Sequence, residues 1–166
     1  IGDKFLKPSP GFGGSCFKKD ILNLVYLCGY YKLDDVANYW QGVVNINDWQ
    51  RTRISKIIVD NLFGNVSQKK ITILGFAFKA NTNDIRESAS IKVSEILYKS
   101  GASITIYDPM VQKRSISNDI KNLWDTKVKL NDKRINIVEK ISETKKCDTF
   151  VILTEWEEFK LIDIEE

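Results

Sequence analysis

The residues with the clearest chemical potential fall within ten positions near the amino terminus, Gly11-Phe12-Gly13-Gly14-Ser15-Cys16-Phe17-Lys18-Lys19-Asp20. Gly13 and Gly14 allow backbone conformations closed to other residues and let a substrate approach the chain, while Ser15 suits the N-cap of a following helix. Cys16 then falls in the first helical turn, where the positive helix end, supplemented by Lys18 and Lys19, makes its sulfur nucleophilic without any histidine. Asp20 comes four residues later, one turn along the same face. A carboxylate that close works against an anionic sulfur, so holding a water or exchanging a proton during hydrolysis suits Asp20 better. The competing reading makes Cys16 a small packing residue beside a turn-forming loop, and residue types alone leave both open. Cys28, on an apolar helix face, and Cys147, before a buried strand, read as packing residues.

A second candidate is Gly75-Phe76-Ala77-Phe78-Lys79, followed by the polar loop Ala80-Asn81-Thr82-Asn83-Asp84-Ile85-Arg86-Glu87-Ser88. Strand, glycine, helix and a second strand ending in Asp108 imitate a dinucleotide-binding βαβ unit, in which an acidic strand end meets the ribose. The imitation fails at the glycines, because the second and third of G-x-G-x-x-G are missing after Gly75. A nucleotide at the carboxyl edge of such a sheet would find positive charge on Lys79 and Arg86, although solvated surface cations fit the sequence equally well.

Composition narrows the classes. With 166 residues, 43% hydrophobic and 28% charged, the chain has the make-up of a globular protein of one domain, or of one small domain and part of another. A net charge of +3 with both signs interspersed gives no footprint for nucleic acid. The absence of histidine excludes an imidazole base or a His-built zinc site from this chain. Three cysteines without CxxC spacing argue against a disulfide framework or thiolate cluster and fit a reducing, cytoplasmic setting. Apolar stretches stop short of the ~20 residues of a membrane span. Opening on Ile1, in a loop-like segment, the chain reads as a fragment of something longer.

The elements that must position these residues follow from periodicity. Apolar residues from Ile21 to Cys28 at helical spacing predict a helix from Ser15 to about Gly29. Asp34 can cap a second helix running through Trp40, Val43, Ile46, Trp49, Ile54 and Ile58 to Gly64, roughly 45 Å long at about 1.5 Å per residue. A helix of that length usually bridges domains or subunits, with Trp40 and Trp49 as packing anchors against another helix. Strand patterns at 70–75, 102–107, 135–138 and 149–153 alternate with helices at 88–100 and 141–146, a shorter helix near 116–124 and a last helical turn from Glu155-Trp156. Such alternation means an α/β fold with a parallel sheet.

Taken together, these stretches resemble the UDP-glucose 6-dehydrogenases of the animal and plant type, in the UDP-glucose/GDP-mannose dehydrogenase family. The resemblance rests on Lys4-Phe5-Leu6-Lys7, on Gly11 to Leu27, on Ile73 to Lys79, on Asp84-Ile85-Arg86-Glu87-Ser88, on Ile106-Tyr107-Asp108-Pro109 and on Thr154-Glu155-Trp156-Glu157-Glu158-Phe159. It implies oxidation of the C6 alcohol of UDP-glucose to a carboxylate with NAD, through a thiohemiacetal and a thioester on Cys16, with Asp20 assisting hydrolysis. It also implies UDP-sugar contacts from Phe5, Leu6, Lys7, Pro8, Ser9, Pro10, Gly11, Phe12, Gly13, Phe78 and Lys79, and NAD contacts from Cys16, Phe17, Lys18, Lys19 and Arg86. The implied architecture is a catalytic loop with central dimerisation helices over residues 1–64, then a Rossmann-like UDP-binding domain over 65–166, incomplete at its carboxyl end. The long helix would join two copies as a homodimer or part of a higher homo-oligomer. Two departures stand out. Ala80, Asn81, Asn83 and Ile85 replace the usual residues of the loop after Phe78-Lys79, and the family's amino-terminal NAD-binding domain is absent from these residues. Relatives acting on GDP-mannose or UDP-N-acetylmannosamine usually carry a Leu-Pro or Ile-Pro pair where this chain has Phe17-Lys18, which favours UDP-glucose. A reading from a different class is a non-catalytic nucleotide-sugar-binding or oligomerisation module.

Overall fold

The computed structural model describes Gly2 and residues 8–124, 132–144 and 146–162. Two helices lead. Helix α1 spans Phe17–Tyr30 and α2 spans Asp34–Asn61, its 28 residues extending about 42 Å at ~1.5 Å each. In α1 the spacing of Ile21, Leu24, Val25 and Cys28 turns a partly to fully buried stripe toward α2, along which α1 packs. Asp34 does not cap α2. It is the first helical residue, after an N-cap at Leu33 that makes no side-chain capping bond, and with Asp35 it places negative charge at the positive helix end.

The two long faces of α2 differ in chemistry. Its buried residues are Val44, Asn47, Arg51 and Ser55, a mostly polar stripe at intervals of three and four. Tyr39, Ile46, Trp49 and Ile57 lie outward and exposed, so Trp49, expected as a packing anchor, is uncovered within a single chain. Toward its end α2 runs onto the second half of the molecule, where Ile54, Ile58, Val59 and Leu62 pack against the sheet core.

That core surrounds four parallel strands, β1 (Lys70–Leu74), β2 (Ser103–Tyr107), β3 (Ile135–Ile137) and β4 (Thr149–Ile152), in the order β3-β2-β1-β4. Central β1 pairs on both sides, Ile73 standing opposite Ile106 on one and Val151 on the other. Its near-continuous burial from Ile71 to Leu74 is what a strand covered on both faces requires. Helix α3 (Ala89–Lys99) links β1 to β2, and α4 (Lys113–Leu123) follows β2. Ser88 caps α3, its hydroxyl accepting from Ser90 N–H at 3.2 Å. Val93 and Leu97 of α3 are fully buried and join Ile104, Ile106 and Ile116 in the core.

The helix expected over 141–146 is instead a 3-10 turn at Ile141–Thr144. Strands β3 and β4 occupy opposite edges, so their connection must cross three strand spacings of about 4.8 Å each, and a compact α-helix would shorten a segment that needs reach. The last turn is also 3-10, at Glu157–Leu161, and it delivers Phe159 into the core beside Tyr107. No helix among the described residues is long and apolar enough to cross a membrane.

Glu95 gives the fold a pH dependence. Its side chain is only 2% exposed, yet it lies 2.9 Å from Lys92 Nζ and 2.8 Å from Lys99 Nζ on the same helix. Burial pushes the carboxyl up, but hydrogen bonds from Lys99 and Lys92, with the lysine charges, outweigh it and bring the carboxyl down to about 2 from the ordinary 4.5. A carboxyl depressed on folding stabilises the protein above its unfolded value, and that stabilisation disappears as pH falls through the folded value. Urea unfolding should therefore show Glu95→Gln less stable than the parent near neutrality, with the gap closing from 4.5 toward about 2. A gap independent of pH would show that the ion pairs do not couple to folding.

Candidate active site

Cys16 is the N-cap of α1 rather than a residue of its first turn. Its φ of −88° and ψ of −56° are already helical, and neither it nor Ser15 provides a side-chain cap. Ser15 stands one residue before that N-cap. Its Oγ lies 3.8 Å from Cys16 Sγ instead. Asp20 N–H donates to Cys16 O at 2.8 Å, which closes the first turn and puts Asp20 one turn along from Cys16. Both residues are exposed, so the sulfur and the carboxylate open to the same solvent.

What fixes the loop before Cys16 comes from α2. The Asn47 amide grips Phe12 twice, Oδ1 accepting from its N–H at 2.8 Å and Nδ2 donating to its C=O at 3.0 Å. One turn on, Arg51 donates from Nη2 to the same Phe12 carbonyl at 3.0 Å and to the Glu87 carbonyl at 2.7 Å. Its Nη1 meets the Glu87 carboxylate at 3.3 Å and that of Asp48 at 3.4 Å, while Nε–H is buried with no acceptor among the described residues. Lys18, from the first turn of α1, closes on Glu87 Oε2 at 3.0 Å. Burial raises the Glu87 carboxyl, but Lys18 and then Arg51 overcome it and hold the group below its ordinary range.

The polar loop after β1 packs directly on the glycines. Gly14 N–H donates to Arg86 O at 2.8 Å. A Cβ on Gly13 would stand 2.6 Å from Glu87 O and 2.7 Å from Phe78 Cβ, and one on Gly14, at φ +81°, only 3.0 Å from Phe78 Cζ. Both positions therefore demand glycine, and Phe78 is seated against them. Glu87 itself is held at φ +54°, a left-handed conformation that costs a non-glycine residue about 1–3 kcal/mol and persists only where its surroundings over-determine it. The bonds from Arg51 to both its carbonyl and its carboxylate are that determination. Arg86, 66% exposed, is clasped by Asp84 at 2.7 Å. Its guanidinium is held more firmly protonated first by the hydrogen bonds to Asp84 and, to a smaller extent, by the nearby Cys16.

Of the residues singled out from sequence, the structure thus gathers Gly11, Phe12, Gly13, Cys16, Phe17, Phe78 and Arg86 around one point, Phe12 and Phe17 touching at 5.7 Å between ring centres. Pro8 and Ser9 are exposed at the open end of the loop, with Pro10 half-buried, and Lys79 is exposed with its ammonium 5.4 Å from the Phe78 ring centre. Lys18 is spent on Glu87, and Lys19 is exposed. Phe5, Leu6 and Lys7 lie outside the described residues. Asn47, Arg51 and Glu87 are not marked by the sequence pattern, and the available signal is an amide and a guanidinium at i and i+4 on one face of the long helix.

The sheet's own acidic strand end is not available to a ribose. Asp108 is buried, and its carboxylate accepts from five donors. Phe76 N–H (2.6 Å), Ala77 N–H (2.9 Å) and the Trp156 indole (3.2 Å) meet Oδ2, and the N–H groups of Met110 and Val111 (2.9 Å each) meet Oδ1. The β1-α3-β2 unit therefore does not fit a dinucleotide in the usual manner. A cavity of about 320 Å³ at that edge is lined by Glu155, Glu157 and Glu158 against Lys160 alone, a balance hostile to pyrophosphate, and it includes no residue of the Cys16 loop. The exposed Arg86, beside Cys16, is the better match to an anionic cofactor group. Among the described residues no cluster could hold a metal ion.

Two family descriptions match this chain. The central domain of the UDP-glucose/GDP-mannose dehydrogenase family matches residues 1–49, and the UDP binding domain of the same family matches 72–166. UDP-glucose 6-dehydrogenase of Gallus gallus is 49% identical over 99% of this chain and 34% of its own length. The Caenorhabditis elegans protein of that name is 48% identical over 96% and 33%. Among solved structures, a UDP-glucose dehydrogenase from the archaeon Pyrobaculum islandicum superposes with a TM-score of 0.73 at 26% identity, covering 93% of this chain and 33% of that one. The chain spans about a third of the length of the curated relatives it matches.

Asp108→Asn tests the strand-end assignment. An amide N–H₂ would have to face at least two of the donors that now converge on the carboxylate, leaving buried N–H groups unpaired at about 1–3 kcal/mol each. Urea denaturation should register a loss of roughly 2–4 kcal/mol. A neutral result would mean that the carboxylate is free for a ligand after all.

Proposed function

Because the chain belongs to the UDP-glucose/GDP-mannose dehydrogenase family, we propose that it is part of an enzyme that oxidises the C6 alcohol of UDP-glucose to the carboxylate, forming UDP-glucuronate. The observation that carries this reading is the convergence of an exposed thiol, a carboxylate one turn away and the Phe78 and Arg86 loops on a single glycine-rich turn. The names of the relatives at 48–49% identity support UDP-glucose over GDP-mannose and UDP-N-acetylmannosamine as the sugar nucleotide. So does the Phe17-Lys18 pair after the thiol.

NAD, when bound, supplies the acceptor for hydride in both oxidations, and on this chain Arg86 would hold an anionic part of it, with Phe17, Lys18 and Lys19 alongside. The chain's own chemistry acts at the aldehyde level. Cys16 Sγ adds to C6, forming the C–S bond, and the thiol proton ends on the former carbonyl oxygen as a thiohemiacetal. Oxidation of that carbon leaves a thioester. Water adds to the thioester carbon, the C–S bond breaks, the thiol is regenerated and the sugar carries a carboxylate. Asp20, exposed one turn from Cys16, is placed to orient that water and exchange its proton. The loop from Pro8 to Gly13 would lie along the UDP-sugar, together with Phe5, Leu6 and Lys7, and Phe78-Lys79 would flank it.

The outward face of α2 supports a second element of the proposal, a homodimer or higher homo-oligomer through that helix. Tyr39, Ile46, Trp49 and Ile57 expose large apolar groups along one side of a 28-residue helix, which a second copy would cover. In this reading residues 1–64 form the catalytic-loop and central segment and 65–166 the Rossmann-like UDP-binding domain. The three free cysteines fit a reducing, cytoplasmic setting.

NADH formed from UDP-glucose by the full-length parent protein and by its Cys16→Ser variant tests the proposal. The parent should yield two NADH per sugar, and the variant should stall after the first oxidation or lose turnover by about a thousandfold or more. No NADH from an intact, folded parent would leave a nucleotide-sugar-binding module or another substrate as the better account.

A further inference from the structure

Arg51 lies in the stretch between the two family matches, and among the described residues its hydrogen bonds go to Phe12, Asp48 and Glu87 rather than to the thiol or the Arg86 side chain. Its side chain is nonetheless 8% exposed, and its Nη2 reaches two main-chain carbonyls at once, Phe12 O at 3.0 Å and Glu87 O at 2.7 Å. One carbonyl opens the Gly13-Gly14 run that leads to Cys16, and the other immediately follows Arg86. We propose that Arg51 is a positioning residue that sets the separation of Cys16 and Arg86, with Asn47 completing the grip on Phe12. The inference rests on the reading of Cys16 as nucleophile and Arg86 as a cofactor-side cation.

Gly13 and Gly14 have no side chains to fix their own conformation, so the path from Phe12 to Cys16 is set by what holds its ends and flanks. Behind it stand Asn47 and Arg51. Beside it, Gly14 N–H is bonded to Arg86 O, next to a Glu87 backbone that stays left-handed while Arg51 holds its carbonyl. One planar guanidinium thereby ties both sides of the gap. Lysine, a point charge on a single nitrogen, lacks the rigid fork that spans two carbonyls and a carboxylate together.

Amide hydrogen exchange and single-turnover NADH formation in the full-length parent protein, in Arg51→Lys and in Asn47→Asp together test this role. Arg51→Lys should speed exchange in 12–16 and 86–88 by about tenfold or more, leaving strand residues 71–76 unchanged. It should slow the second, thiol-dependent oxidation about tenfold more than the first, a split that general destabilisation would not produce. Asn47→Asp keeps the acceptor for Phe12 N–H and loses the donor to Phe12 O, and it should give the same split at about threefold. Unchanged exchange, or both oxidations slowing in step, would overturn the assignment. A parent that makes no NADH would remove the proposed oxidation, while the exchange result still decides whether Arg51 holds the two segments.

Discussion

A guanidinium removed from water keeps its charge, and its fork of donors must find acceptors, so whatever surrounds it is drawn into fixed positions. Arg51 meets that demand at its two terminal nitrogens, with two carboxylates and two main-chain carbonyls rather than with one opposing side chain, while its Nε–H has no acceptor among the described residues. The carbonyls belong to the glycine-rich loop and to the loop after β1, segments that have no pairing of their own as helix or strand. Separating them would strand a buried charge. Lys18 then binds the same Glu87 carboxylate from α1, so three elements meet on one acidic residue whose backbone is itself in a costly conformation. Exposure of the thiol is compatible with order around it because the order is imposed from the protein side.

Asp108 applies the same logic at the sheet. In a dinucleotide-binding unit the acidic strand end faces a ribose, but here it faces inward and gathers the N–H groups of two loops and an indole. The sheet is consequently a rigid base for its loops rather than a nucleotide reader at that position. Its β1 loop carries Phe78 and Arg86 to the glycine turn, and the clamp on Glu87 catches that loop as it arrives. The parallel α/β fold and the thiol site on the helical segment are coupled at the clamp by a few main-chain contacts and the Glu87 ion pairs, while further along α2 Ile54, Ile58, Val59 and Leu62 pack on the sheet core.

The parts legible in the sequence are those governed by periodicity and punctuation. The four strands, α1, α2 and α3, and the Cys16–Asp20 spacing follow from apolar runs, helical repeats and terminal residue types. Local pattern predicts a helix over 141–146 where the chain forms a 3-10 turn at Ile141–Thr144, because that pattern carries no knowledge that β3 and β4 sit at opposite edges. Ser15 was read as a cap by residue type, yet the helical dihedrals of Cys16 move the cap one position on. The clamp is hidden from sequence pattern for a different reason. Asn47 and Arg51 are polar residues in a helix whose apolar members look like the inner face, and hydrophobicity alone puts Trp49 inside and Arg51 outside. Burial of an arginine becomes sensible only once its carbonyl partners are known, and those come from distant segments.

That inversion has a mechanical consequence. The groups that hold the site and the large apolar groups left exposed lie on one continuous helix, Arg51 buried and Trp49 exposed two residues apart. Side chains on opposite faces of one helix share a single backbone ladder, so a shift or tilt of that helix moves both faces together. Anything that packs along Tyr39, Ile46, Trp49 and Ile57 therefore also constrains where Asn47 and Arg51 point, and through Phe12 and Glu87 where Cys16 and Arg86 stand.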